Sequence, residues 1–151
     1  MFLQSCGVKT SEGQRAVEDR ARTVRDQGAF ATMEAALARW FTAAFRAERP
    51  DVMQQVKDWR LMADPESYAQ AAWVLANGVR ELIRPVEPIN APSLVLTCEN
   101  DTGSTPAMSH AIASEIAGSE TVIVPDLQHL GLMEDPDAIT APVLGFLSRT
   151  S

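Results

Sequence analysis

A chain of 151 residues, 46% hydrophobic and 22% charged, has the size and texture of one soluble globular domain, which excludes a disordered polymer. Its formal net charge of -7 argues against nucleic acid or an anionic membrane surface as the main partner. No apolar run reaches membrane-spanning length, and the start MFLQSCG lacks the basic and long apolar regions of a signal peptide, so a cytoplasmic protein is expected.

Phe2–Cys6 is a short, partly apolar run ended by Gly7, long enough for one strand. Ser11 is placed to cap a helix over about 12–27, and Gly28 stands where a left-handed residue closes one. Met33, Leu37, Trp40, Phe41 and Phe45 then recur at three- and four-residue steps, which predicts one helix over about 29–44. Pro50 suits the first turn of a helix to about Leu61, with Val52, Met53, Val56 and Trp59 apolar. Asp64-Pro65-Glu66 starts a helix to Asn77, stopped by Gly78, with Tyr68, Ala72 and Leu75 marking its inner face. No strand pattern separates these four helices. They form an all-helical block.

The texture changes after Ile83. Arg84–Pro92 carries three prolines and must be extended. It leads into Ser93–Cys98, a continuous run typical of a strand buried on both faces. Thr105-Pro106 opens a helix to about Ala117, closed by Gly118, and Thr121–Pro125 reads as a second strand. Asp135-Pro136 opens a last helix to about Leu147, which the internal Pro142 should bend. Strand, helix, strand, helix at this spacing predicts a parallel βαβ unit with a right-handed crossover. Cys6 and Cys98 form no CxxC and read as two buried free thiols.

In an open parallel sheet, functional groups gather just past the carboxyl ends of the strands. Glu99–Pro106 comes after the first buried strand, and Asp126–Leu130 after the second. Adjacent parallel strands would bring Asp101 and His129 to one end of the sheet. A carboxylate there holds an imidazole in one tautomer and stabilises it when protonated. Spacing alone leaves another reading open, in which Asp101 is a turn residue and His129 hydrogen-bonds within its loop.

Pro92–Ile116 and Val122–Leu147 together resemble the carboxyl-terminal end of an α/β-hydrolase. That family's pattern is a strand, an acid, a Thr-Pro helix start, a second strand, then His followed by Glu-x-Pro. The matching residues are Asp101, Thr105-Pro106, His129 and Glu134-Asp135-Pro136. The helical block resembles the cap of 3-oxoadipate enol-lactonases and their relatives at Ala38–Phe45 and at Glu66-Ser67-Tyr68-Ala69. In that group the cap closes over the active site, and the aromatic corresponding to Trp40 can line the pocket. The alternative for Trp40 is a place in the core of the cap.

The resemblance implies a partial α/β-hydrolase fold: about three parallel strands with flanking helices, plus a four-helix cap. Residues 1–9 would be a core strand, 10–84 the cap, and 85–151 the core bearing the acid and histidine loops. It further implies hydrolysis of carboxylic esters or lactones in the intact protein. Asp101 would orient, His129 would act as base and then acid, and a serine would attack. No metal or organic cofactor is implied.

The family nucleophile sits on a Gly-x-Ser-x-Gly turn, and none occurs here. Ser5 matches the strand leading into the cap, Ser104 reads as part of a helix start, and His110 falls on the exposed side of its helix. Cys6 and Cys98 read as core. This chain alone is therefore expected to be inactive, its small-molecule ester or lactone being handled only when a nucleophile half is present. The rival reading is a non-catalytic remnant or interaction module that keeps the fold; a split enzyme completed by a separate chain is a third. An open edge at Phe2–Cys6 would also favour self-association, most simply as a two-fold dimer.

Overall fold

A computed structural model describes residues 10–78 and 88–150. The strand expected at Phe2–Cys6, with Ser5 and Cys6, lies outside these residues, as does the stretch 84–87 of the proline-rich segment. The described residues fall into two compact units, one of 10–38 and 43–78, the other of 39–42 and 88–150.

The first unit is helical: α1 (Ser11–Gln27), a 3₁₀ turn (Ala29–Thr32), most of α2 (Met33–Trp40), α3 (Ala43–Glu48), α4 (Pro50–Met62) and α5 (Pro65–Asn77). Orphan amides at two helix starts are satisfied from nearby in the chain. Gly13 N–H donates to Thr10 Oγ1 at 3.1 Å, so Thr10 and not Ser11 caps α1. Ser67 N–H donates to Asp64 Oδ2 at 2.8 Å. Gly28, at φ 88°, closes α1 in a conformation that costs a side-chain-bearing residue more. Ala21, Val24, Met33, Ala36, Leu37, Val52, Met53, Val56 and Ala76 are its buried apolar residues. Gln14 Nε2 donates to Ala76 C=O at 2.6 Å and ties α1 to α5.

Three details differ from the expected pattern. The single helix over 29–44 is interrupted, with Phe41 and Thr42 outside both α2 and α3. The Thr42 N–H donates to the Glu134 carboxylate instead of to a carbonyl one turn back. On α4 the inward place beside Val56 belongs to Arg60, 8% exposed, while Trp59 is 53% exposed. The Arg60 guanidinium lies 4.0 Å from the Tyr68 ring centroid and donates to Tyr68 Oη, to Thr32 Oγ1 at 3.1 Å and to Ala29 C=O at 3.3 Å. A long aliphatic stem with satisfied ends fills an interior position better than a bulky indole that must be accommodated whole. On α5, Ala76 is buried and Leu75 half exposed, because the helix meets α1 through the small residue.

The second unit carries β1 (Leu94–Cys98), α6 (Pro106–Ser114), β2 (Glu120–Val124), α7 (Gly131–Glu134) and α8 (Pro136–Thr150). β1 and β2 pair in parallel, Leu94 opposite Glu120 through Cys98 opposite Val124. All five residues of β1 are buried, as the unbroken run predicts, whereas β2 is only partly covered. Leu96, Cys98, Val124 and Ile139 form the core between sheet and α8, with Val122, Leu127, Ala138 and Val143 packed against it. Pro142 is accommodated inside one continuous α8. α6 stops earlier than expected: Ile116 N–H bonds to Ala113 C=O at 3.1 Å, a shorter-range contact, and Ser119 Oγ donates to that same carbonyl at 3.0 Å. Among the described residues no helix is long and apolar enough to cross a membrane. Nor, among the described residues, is any group of three or more His, Cys, Asp or Glu placed to hold a metal ion.

Candidate active site

The parallel register delivers two loops to the same end of the sheet. β1 ends at Cys98, and Asp101 comes next in a turn whose amide bonds to Cys98 C=O at 3.2 Å. β2 ends at Val124, and the chain turns through Asp126, at φ 62°, before reaching His129. Aspartate is among the few side chains that tolerate this left-handed region. The loops are stitched together. Glu99 N–H donates to Val124 C=O at 2.8 Å, and Asn100 N–H donates to Leu127 C=O at 3.0 Å. Asp126 N–H donates to Glu99 Oε2 at 3.1 Å, and Thr97 Oγ1 holds the far side of the acid loop through Ser104 C=O at 2.6 Å.

Asp101 is 4% exposed, yet both carboxylate oxygens are satisfied. Oδ1 accepts from Gly103 N–H at 2.7 Å and from Ser104 N–H at 2.8 Å, and Oδ2 lies 2.7 Å from His129 Nδ1. Burial pushes the carboxyl toward its neutral form, but the bonds from His129 and the two backbone amides outweigh it and hold the pKa below its ordinary value. Asp101 is therefore ionised near neutral pH and can only accept. His129 Nδ1 must then carry the donated proton, so Nε2 of the neutral ring is the basic nitrogen. The His129 side chain is 29% exposed while that of Asp101 is 2% exposed. A buried carboxylate thus fixes the tautomer and angle of an imidazole within reach of solvent.

No family model matches the chain. It is 27% identical to 3-oxoadipate enol-lactonase 2 of Acinetobacter baylyi over 150 residues, 99% of this chain and 54% of that protein. The enol-lactonase of Burkholderia xenovorans LB400 superposes with a TM-score of 0.74 at 30% identity, over 89% of this chain and 50% of that one. A thermophilic esterase from Thermogutta terrifontis, solved with malate bound, gives 0.72 at 26% identity, over 97% of this chain and 53% of that one. The fold is that of the carboxyl-terminal part of an α/β-hydrolase. The chain spans about half the length of the relatives it matches.

Within this hydrolase fold, Asp101 and His129 meet directly. Trp40 ends α2 and belongs to the same compact unit as His129, with its C=O accepting from Leu130 N–H at 2.9 Å. Ser104 is buried one residue before Thr105, whose Oγ1 accepts from Met108 N–H at 3.3 Å and so makes the cap of α6. His110 is exposed on α6. Burial, and then the Asp101 charge, push the Cys98 thiol up to about 11, which makes it a core residue without nucleophilic character.

Two residues that shape the site were not singled out by patterning. Gly131 begins α7 against β1, and a Cβ there would lie 2.5 Å from Cys98 Sγ and 3.2 Å from Leu127 Cδ1. Thr42 reaches the histidine loop through Glu134. A glycine two residues after the histidine was the only available signal for the first. The second had none, because its partner is 92 residues away.

Proposed function

We propose that Asp101 and His129 are the acid–base half of a serine-type hydrolase site for carboxylic esters or lactones, completed by a nucleophile that these 151 residues do not contain. The 2.7 Å contact between a buried, ionised Asp101 and His129 Nδ1 carries the reading. The likeness to enol-lactonases and an esterase supports the substrate class.

In the completed site a serine Oγ–H passes its proton to His129 Nε2 as the oxygen attacks the carbonyl carbon. The carbonyl electron pair moves onto oxygen and returns as the carbon–oxygen bond to the leaving group breaks. Protonated His129 then gives its proton to the departing alkoxide, which in a lactone stays tethered to the acyl group. Water, deprotonated by the same Nε2, then attacks the acyl carbon. The bond to the serine oxygen breaks, His129 returns the proton to that oxygen, and the acid leaves. Throughout, Asp101 stabilises the imidazolium without itself taking the proton.

The chain alone is expected to show neither aryl-ester hydrolysis above background nor labelling by a serine-reactive fluorophosphonate, since it lacks the nucleophile and its oxyanion donors. Stoichiometric labelling of any serine would overturn the half-site reading. Co-produced with a segment bearing Gly-x-Ser-x-Gly from the adjoining reading frame, it is expected to hydrolyse esters or lactones. In that assembly D101N should lower kcat by about 10⁴-fold. Absence of hydrolysis with a folded complete sheet would favour a non-catalytic module instead.

A further inference from the structure

We propose that Glu134 is a positioning residue for His129, acting by clamping the histidine loop to the Trp40–Thr42 segment; this deepens the half-site reading and rests on it. Glu134 closes the single turn of α7, five residues after the histidine. Its carboxylate accepts from Thr42 N–H at 3.2 Å through each oxygen, and Oε2 accepts from Thr42 Oγ1–H at 2.6 Å. Oε1 also takes Gln128 N–H at 3.4 Å, a longer contact. On the other side of the histidine, Leu130 N–H donates to Trp40 C=O at 2.9 Å. The residues immediately before and after His129 are thus both tied, one through Glu134 and one directly, to the same short segment, Trp40–Thr42, where α2 ends.

The chemistry gives this bracket its consequence. A hydrogen bond with heavy atoms 2.7 Å apart loses most of its strength if the ring moves by more than roughly half an ångström or swings off line. Asp101 is held by its own backbone donors and cannot follow the ring. The main chain at 128–130 must therefore be fixed independently, and the described bonds that do so from outside the loop converge on Trp40 and Thr42. A carboxylate suits this task because it accepts several donors at once, and charge-assisted bonds resist opening more than neutral ones. Helix α2 could not continue through Thr42 and still offer that amide, so the break at Phe41–Thr42 is the structural counterpart of the clamp.

The test is proton and nitrogen NMR on the full chain, following the His129 Nδ1 proton shared with Asp101. The unaltered chain should show a downfield ring proton protected from solvent, and D101N should abolish it. If it is missing from the unaltered chain, or indifferent to D101N, the Asp101–His129 reading itself fails and the clamp falls with it. If it is present and sensitive to D101N, the clamp stands or falls on Glu134 and Thr42. E134A should speed exchange of that proton roughly tenfold or more, the loss expected of a charge-assisted bond, while distant amide signals stay in place. T42V, which removes only the hydroxyl donor, should shift the same signal in the same direction but less, and E134Q should fall between the unaltered chain and E134A. A folded E134A and a folded T42V with unchanged His129 ring signals would overturn the proposal. Should E134A fail to fold, T42V decides alone: an unmoved ring proton refutes the clamp, and a moved one with an intact spectrum elsewhere upholds it.

Discussion

The helical unit and the loop end of the sheet are held by different kinds of force. Among the helices most buried residues are apolar, with Met33, Leu37, Val52, Met53 and Val56 in one unit, and the described exceptions are Gln14 and Arg60, both hydrogen-bonded. Around His129 the restraints are polar and directional: three bonds on Asp101, the glutamate clamp, and main-chain stitches between the loops. Dispersion and burial depend on volume and tolerate rearrangement, whereas a hydrogen bond depends on angle and distance. Substitutions should therefore separate the two regions by what they remove.

The largest effect is expected at the loops. D101A strands two backbone amides and the His129 ring donor in a buried place, and should cost about 3 kcal/mol in chemical denaturation. A loss below about 1 kcal/mol would mean that water replaces the carboxylate, and that the site is wetter than its burial implies. G131A comes next. The added carbon would lie 2.5 Å from Cys98 Sγ, and relief of that overlap should cost about 1–3 kcal/mol and disturb His129 signals as well. In the helical unit, R60A should cost about 2 kcal/mol through lost stacking, stem packing and orphaned partners. Its neighbour W59A, at an exposed position, should change stability by under about 0.5 kcal/mol. The reverse order at 59 and 60 would restore the simple apolar stripe.

Acid sharpens the comparison with a smaller, graded effect. Asp101 titrates below its ordinary value of 3.8 in the folded chain, so it binds fewer protons there than in the unfolded one. Its contribution is complete above that ordinary value and is lost as pH falls past it and through the lower folded value. Denaturation of D101N should lack this share of the acid sensitivity. Smallest in energy but simple to read is Cys98, whose thiol, raised to about 11 by burial and by Asp101, should resist alkylation at neutral pH until the second unit unfolds.

Much of this was legible in the residues because it depends on neighbours in the chain. Asp64, Gly28 and Thr105 act on amides or carbonyls within four residues. Even where the reading slipped, choosing Ser11 over Thr10, the slip was one position. The acid and the histidine could be placed at one end of the sheet because two apolar runs of strand character, in parallel, carry their trailing loops there, although spacing alone left their pairing open. Helix faces were less legible, since Trp59 and Leu75 satisfy a periodic pattern as well as Arg60 and Ala76 do. Hydropathy has no means of ranking a stacked arginine above an indole.

The amino-acid sequence determined by itself the order of the longer described elements, most of their ends, and the placing of Asp101 and His129 after successive strands, but not the short α7. The tertiary structure alone decided that α2 breaks at Phe41, that Gly131 must lack a side chain, and that Glu134 reaches Thr42. The physical reason is range. Caps and strands are settled by bonds and burial that each segment meets locally, while the amide of Thr42 leaves its helix for a carboxylate 92 residues away, which only the folded chain brings within reach.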